Sequence, residues 1–476
     1  MTPRSSSSRP PPDFGRVLPR VRVKPPGAAS RRMVARLRGV ESAGAMGAGE
    51  AIVWTRARGA NVLDADGNVY LDLTAGFGVA ALGHNHPAIV RAVQKQSASL
   101  LHGLGDVHPH ELRVALAERL ARFVPGGPWK VMFGISGADA VELALKTSAL
   151  ATGRHGVVAF EGGYHGLSYG TLAVTARQRF SRGFEPQINK RVVRVPYPDS
   201  YRSPNKASAS SLSAMESSLA HPPAKVGPIG AVLIEPVQGR EGERVPPPEY
   251  LSRLRELCTR HGALLIFDEM MTGFGRTGRW FAFEHWGVEP DIVCVGKALG
   301  GGMPISACVA RAEVMDAWRH NDVEAPHAST FMADPPSCAA ALASLDALER
   351  AKAPELARRT GEWLMSRLRE LQSRHALIGD VRGLGLMIGV ELVEDRPHPP
   401  RLRRGSLSSG AGEGERAPAV AATGRVVQAM LERGVIMLGG GLRGNVLSLT
   451  PPLTISRKQL EYALAALDEA LRLAAG

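Results

Sequence analysis

From about residue 85 to 345, short apolar runs alternate with longer amphipathic stretches, a rhythm that predicts strands and helices in turn. The predicted strands cover 130–133, 156–160, 231–234, 263–267 and 291–295, with helices between them such as 138–151 and 248–261. Runs as continuously apolar as 263–267 suit strands buried on both faces, so the expected fold class is α/β, a mainly parallel sheet flanked by helices. Upstream, a short helix is expected near 31–40, then a β-rich stretch at 62–73 broken by the turn Asp66-Gly67. Downstream, helices at 354–374 and 459–475 flank strands near 386–393 and 446–449, which reads as a smaller α+β unit. Pro354 suits a first helical position, where its missing N–H is not needed. The expected organisation is a disordered basic extension over 1–30 and the N-terminal part of a small domain over 31–84. A large domain over 85–345 follows, then the C-terminal part of the small domain over 346–476, with a low-complexity insertion at 396–420. No internal repeat is visible.

A chain of 476 residues is too long for one ordinary core and suggests two or three domains. Its net charge of +13 resembles a nucleic-acid signal until it is located. Residues 1–40 carry ten Arg/Lys against one acid, and residues 396–420 carry five Arg against two Glu, which leaves about +1 for everything else. Both basic segments are rich in Pro, Ser and Gly, so they read as solvated tails, and no nucleic-acid partner is expected. No run approaches the ~18 apolar residues a membrane helix needs, so no membrane partner is expected either. The basic start has no apolar h-region and is not read as a secretory signal; its prolines also argue against an amphipathic transit peptide. Four scattered cysteines, Cys258, Cys294, Cys308 and Cys338, form no CxxC and read as buried thiols of a reducing compartment, so the expected location is cytoplasmic.

In a parallel sheet the strand C-termini share one edge, and ligands bind there. Three predicted strands bring polar residues to that edge: one ends at Asp268-Glu269, one at Gly296-Lys297, and one at Gly134-Ile-Ser-Gly-Ala138, which opens a helix. A small-residue turn into a helix leaves backbone N–H groups for an anion, although Ser-Gly is also an ordinary helix start. A carboxylate at the rim of a dry sheet needs a cationic partner, either in a structural ion pair or in a ligand. A desolvated lysine loses proton affinity and becomes nucleophilic towards aldehydes. Together the three match the phosphate, pyridinium and aldehyde of pyridoxal 5′-phosphate.

At these residues the chain resembles the class III aminotransferases, the fold-type I pyridoxal-phosphate enzymes that include the ω-aminotransferases and 4-aminobutyrate aminotransferase. The resemblance lies in Leu265-Ile-Phe-Asp-Glu-Met-Met-Thr-Gly-Phe-Gly-Arg-Thr-Gly278, Glu289-Pro-Asp-Ile292 and Gly296-Lys-Ala-Leu-Gly-Gly-Gly302. Further matches are Gly83-His-Asn-His-Pro87, Ser136-Gly-Ala138, Gly163-Tyr-His-Gly166, Glu235-Pro-Val-Gln-Gly239, Ser329-Thr-Phe331, Val381-Arg-Gly-Leu-Gly385 and Pro451-Pro-Leu-Thr454. The resemblance implies Lys297 as the Schiff-base lysine and proton shuttle, and Asp268 as partner of the pyridine nitrogen. It implies Ser136, Gly137 and Ala138 at the phosphate, and Tyr164 and Met270 on the two faces of the ring. His165, Glu235 and Met271 would lie around the cofactor. Thr330 would reach the phosphate of a second subunit, which makes the expected enzyme a homodimer with shared sites. Its partners would be a small-molecule amino donor and a keto-acid acceptor. His84, His86, His102, His108 and His110 lack metal-ligand spacing, and no metal is expected.

The match departs where a substrate would be read. In 4-aminobutyrate-type members an arginine follows Tyr-His-Gly, and a glutamate after Glu-Pro-Val-Gln-Gly pairs with an arginine before Pro-Leu-Thr. Here Leu167, Arg240 and Ser448 stand at those positions. Asp-Glu-Val-Gln has become Asp268-Glu-Met-Met271, and Thr-Phe-Gly-Gly-Asn-Pro has become Thr330-Phe-Met-Ala-Asp-Pro335. Arg240 and Arg382 are the candidate substrate contacts, each as a carboxylate clamp or a structural ion pair. The expected function is amino-group transfer from an amino acid or ω-amine to a keto acid, with an amino-acid racemase, epimerase or aminomutase as the alternative.

Overall fold

The computed structural model describes residues 14–47, 49, 51–204, 206–318, 324–397 and 416–475. At its centre is a seven-stranded sheet. In spatial order its strands are Trp129–Gly134, Ser306–Arg311, Ile292–Val295, Leu264–Asp268, Ile229–Ile234, Gly156–Phe160 and Val192–Val195. Ser306–Arg311 runs antiparallel to both neighbours, and every other pairing is parallel. The fold is α/β, as the apolar runs require.

Alternation along each strand divides the core in two. Leu265 and Phe267, Val293 and Val295, and Val232 and Ile234 pack into the larger apolar cluster. Ile266, Ile292, Cys294, Ala231 and Leu233 pack into a second cluster with Val141 and Ala144 of the Gly137–Thr152 helix. Both faces are therefore dry, which is why these segments carry almost no polar residue until the strand ends. In this central sheet the two strands absent from the sequence reading are Val192–Val195, which is short and interrupted by Arg194, and Ser306–Arg311, whose small residues give little periodicity.

The remaining strands form two smaller sheets. Trp54–Arg58, Asn61–Asp64 and Val69–Asp72 make an antiparallel meander that Val435–Ile436 joins in parallel, knitting the two ends of the chain together. Ile378–Leu384, Met387–Pro397, Val446–Leu449 and Leu438–Gly440 form the other, with Arg416–Pro418 paired to Met387–Pro397. Strands border the 396–420 low-complexity stretch at both ends; 398–415 lie outside the described residues.

The reading of 1–30 as disordered is corrected over 14–30, while 1–13 lie outside the described residues. Arg20 and Val69 exchange backbone hydrogen bonds of 2.9 and 3.0 Å. Arg22 N and Val23 N donate to Asn68 Oδ1, and Asn68 Nδ2 donates back to Val23 O. Asp66 accepts from Ala29 N and Ser30 N and so caps the Ala28–Arg38 helix from outside it. The segment is ordered by polar partners on the meander and by Phe14 against Leu63 and Val69, rather than by apolar periodicity of its own.

Candidate active site

Asp268 is the last residue of its strand and is 4% exposed. His165 Nδ1 donates to its Oδ2 at 2.8 Å, and Met270 N donates to its Oδ1 at 3.0 Å. Lys297 follows the adjacent strand Ile292–Val295. Its φ of +43° is unusual for a residue with a side chain and costs about 1–3 kcal/mol, which the packing around it must offset. Burial lowers the proton affinity of its amine, against the opposing charges of Asp268 and Glu235. No carboxylate lies within ion-pairing distance of its Nζ among the described residues; Nζ donates to Met271 Sδ at 3.1 Å.

At the start of the Gly137–Thr152 helix, Ser136 Oγ accepts from Asp139 N at 3.2 Å, and Asp139 Oδ2 accepts from Ile135 N and Ser136 N at 3.0 and 3.1 Å. That capping box occupies three of the loop's amides and leaves the N–H groups of Gly137 and Ala138 without a partner among the described residues. The Ser136 hydroxyl oxygen caps the helix, with its O–H still free to donate. Met270 ties this loop to the lysine. A Cβ added to Gly296 would lie 2.7 Å from Met270 Sδ, and one added to Gly137 would lie 3.3 Å from it.

Glu235 ends the Ile229–Ile234 strand and accepts from Tyr164 N and Gly239 N, each at 2.9 Å, while burial raises its proton affinity. It fixes two loops rather than facing a ligand. Tyr164, Glu235, Asp268, Met270, Met271, Lys297 and Arg240 share one cavity of about 530 Å³. Thr74 and Phe77 close it from the N-terminal segment, and Leu438, Ser448 and Thr450 close it from the C-terminal sheet.

Ser136, Gly137, Ala138 and His165 do not line the cavity; His165 adjoins it through Asp268 and the helix start through Met270, and two further candidates lie elsewhere. Arg382, read as a carboxylate clamp or a structural ion pair, makes ion pairs: its NH1 bonds Asp380 at 2.9 Å and Glu391 at 2.7 Å, its Nε bonds Gly242 O at 2.7 Å, and it does not line the cavity. Thr330 is exposed and outside the cavity lining of this chain. The histidine-rich stretch has structural uses, His84 with Asp72 at 2.8 Å and His110 capping the Glu111–Phe123 helix. Sequence reasoning missed Glu243, a buried carboxyl with φ +52° whose Oε1 accepts from Ser448 Oγ, and it missed Arg177 and Arg179. The run of charges Arg240-Glu241-Gly242-Glu243 was the available signal.

The profile of the family described as "Aminotransferase class-III" matches residues 44–471. The chain belongs to the class III aminotransferases.

The aminotransferase is 40% identical over 414 residues to the acetylornithine aminotransferase of Methanopyrus kandleri, covering 87% of this chain and 92% of that one. It is also 34% identical over 465 residues to the alanine/serine racemase of Pyrococcus horikoshii, covering 95% and 93%. An amine transaminase structure from an uncultivated Pseudomonas species, in its pyridoxal-phosphate-bound form, superposes with a TM-score of 0.80 at 31% identity, over 91% of this chain and 97% of that one. Class III aminotransferases depend on pyridoxal 5′-phosphate. The donor set here fits that group: two unpartnered amides at a helix start for a dianion, a buried strand-end carboxylate for a ring N–H, and an amine of lowered proton affinity for an aldehyde.

Proposed function

We propose that this aminotransferase moves an amino group from an amino acid or ω-amine to a keto acid, with Lys297 holding the cofactor covalently and carrying the proton. The observation that supports this most is the convergence of Lys297 and Asp268, from adjacent strand ends, on one cavity without pairing with each other. When bound, the cofactor supplies an electron sink for charge released at the substrate's Cα. Asp268 would keep the pyridine nitrogen protonated, and His165 holds that carboxylate in place. Gly137 and Ala138 N–H would hold the phosphate, with Ser136 beside them, and Tyr164 and Met270 would stand at the ring. Met271 and Glu235 stand around the group, Glu235 by fixing the Tyr164 loop. Burial leaves the Lys297 amine a free base at lower pH than an exposed lysine, so it would be the group that carries the proton released at the substrate's Cα.

In this reading the enzyme is a homodimer whose Thr330 reaches the partner's phosphate. Leu101, Leu104, Val107 and Phe331 are each 60% or more exposed, and Phe77 at the cavity mouth is 59% exposed, an apolar surface suited to a second copy. The buried free cysteines support a reducing compartment such as the cytoplasm, which cell fractionation checks. No described helix is long and apolar enough to cross a membrane.

The test is a donor screen on the purified holoenzyme, following conversion of the cofactor to pyridoxamine phosphate. At least one amino acid or ω-amine should drive it. The second reading, a racemase, draws on the likeness to the Pyrococcus enzyme over nearly the whole chain. Exchange of the Cα hydrogen with inversion and no keto acid, across the whole panel, would replace the first reading with the second.

A further inference from the structure

Thr74 and Phe77 reach the cavity on a stretch of backbone that side chains resist. Ala75, Gly76, Phe77 and Gly78 have φ of +47°, +56°, +60° and +83°, four positive values in a row. The turn they make closes on itself, Gly78 N donating to Thr74 O and Ala80 N to Ala75 O, each at 2.9 Å. Ala75 and Phe77 are strained there, and such strain persists only where neighbouring groups fix the backbone.

The group that fixes it is a carboxylate. Asp72 is fully buried at the end of the Val69–Asp72 strand. Its Oδ1 accepts from Thr74 N at 2.8 Å and Thr74 Oγ1 at 2.6 Å, and its Oδ2 accepts from Gly76 N at 2.9 Å. His84 Nε2 donates to the same Oδ2 at 2.8 Å. His84 is pinned in turn: its backbone exchanges hydrogen bonds of 2.9 and 3.0 Å with Gly59, and its ring stands edge-on to Trp54 with centroids 5.6 Å apart. Two amides and a hydroxyl of the turn thus converge on one carboxylate, and a fourth donor anchors that carboxylate to the antiparallel meander.

The other side of the turn meets the lysine. A Cβ added to Gly78 would lie 3.0 Å from Met271 Sδ and 3.8 Å from Lys297 Cδ. The bare Gly78 backbone therefore packs on the methylene chain of Lys297 and on the thioether that accepts from its Nζ at 3.1 Å. Lys297 has a positive φ of its own, +43°, and this packing is among the contacts that hold it.

We infer that Asp72 and His84 are positioning residues for Lys297: they latch residues 74–78 in their turn, and the latched turn holds the lysine side chain and Met271 in place. Neither residue touches the reacting atoms; each acts through Gly78. Burial is the largest influence lowering the amine's proton affinity, so a loosened turn, which admits water, favours its charged form. The inference rests on the aminotransferase reading above for what Lys297 does, and adds the residues that aim it.

The experiment reads Lys297 in two ways. The full chain freed of cofactor is labelled with trinitrobenzenesulfonate across pH, and peptide mass spectrometry compares Lys297 with the exposed lysines of the same protein. The visible band of the holoenzyme is titrated in parallel. In wild type Lys297 should label with a midpoint below that of the exposed lysines. Asp72→Asn, which sets a donor against donors, should move both midpoints upward by about 0.5 to 1 pH and lower kcat roughly tenfold to a hundredfold. His84→Phe, at a less buried position, should move them the same way, and His84→Gln, which still donates, should recover most of the wild-type value. Gly78→Ala leaves the latch intact and presses on Met271 and Lys297 directly, so it should also displace the midpoints. The charges that act on the amine, Asp268, Glu235, Arg240 and Arg276, are unchanged in every variant. If Asp72→Asn does not fold, the His84 and Gly78 variants decide. Midpoints unmoved in folded His84→Phe, even with a lowered melting temperature, overturn the latch, as does a shift that His84→Gln fails to reduce. A wild-type holoenzyme without a visible band would instead overturn the aminotransferase reading, while the labelling of the cofactor-free chain still tests the latch.

Discussion

Burial pushes the Glu243 carboxyl up to about 8, against the hydrogen bond from Ser448 and the charge of Arg382, so it is mostly protonated at neutral pH. Glu243→Gln keeps the volume and the Ser448 contact while removing the titration. Because the folded group holds its proton more tightly than the unfolded one, wild type and variant should melt alike below pH 4.5. Wild type should then lose stability relative to the variant as pH rises to about 8, at up to roughly 1.4 kcal/mol per pH unit. Thermal melts across that window check the sign, and a relative gain for wild type with rising pH would refute the assignment. Glu269, raised to about 7 by burial, titrates in both proteins and drops out of the comparison. At this scale Lys297 and Asp268 were legible in the sequence because each interrupts a strongly apolar run at a strand end. Arg179 was not, because one arginine of the mostly polar run 177–182 carries no sign of which cavity it borders. Arg382 was half-legible: its chemistry was evident, but Glu391 reaches it only through the pairing of neighbouring strands and Gly242 comes from a distant segment.

The elements that build the site are short, and each ends where its chemistry begins. The Leu264–Asp268 and Ile292–Val295 strands pair in parallel with Asp268 opposite Cys294, which places the two polar ends side by side. The Gly137–Thr152 helix begins with a capping box that takes up competing amides and leaves two for an anion. Central strands with uninterrupted apolar runs were predicted to within a few residues, since burial on both faces leaves a strong signal. Val192–Val195 escaped because Arg194 breaks its run, although that side chain reaches back to bond Thr175 O at 3.0 Å. The 14–30 segment escaped for a different reason: its order comes from Asn68 and Asp66, which the pattern of its own residues cannot reveal.

At the scale of the whole molecule, the cavity lies between the central sheet's edge and the two smaller sheets, so chain ends far apart in sequence meet over it. Thr450 N donates to Leu73 O at 2.8 Å and Thr450 Oγ1 donates to Thr74 O at 3.2 Å, joining the C-terminal and N-terminal contributions beside the site. The exposed Leu101, Leu104, Val107 and Phe331 set the expectation for assembly. Sedimentation should find a dimer for wild type, and Leu101→Asp with Phe331→Asp should shift it towards monomer with loss of activity. A wild-type monomer of full activity would dismiss the shared site. The central claim, that Lys297 and Asp268 hold one aromatic aldehyde between them, is tested most directly by borohydride reduction of the holoenzyme and peptide mass spectrometry. The pyridoxyl phosphate label should sit on Lys297 and be absent from Lys297→Ala; a label on any other lysine, or none, would contradict the account.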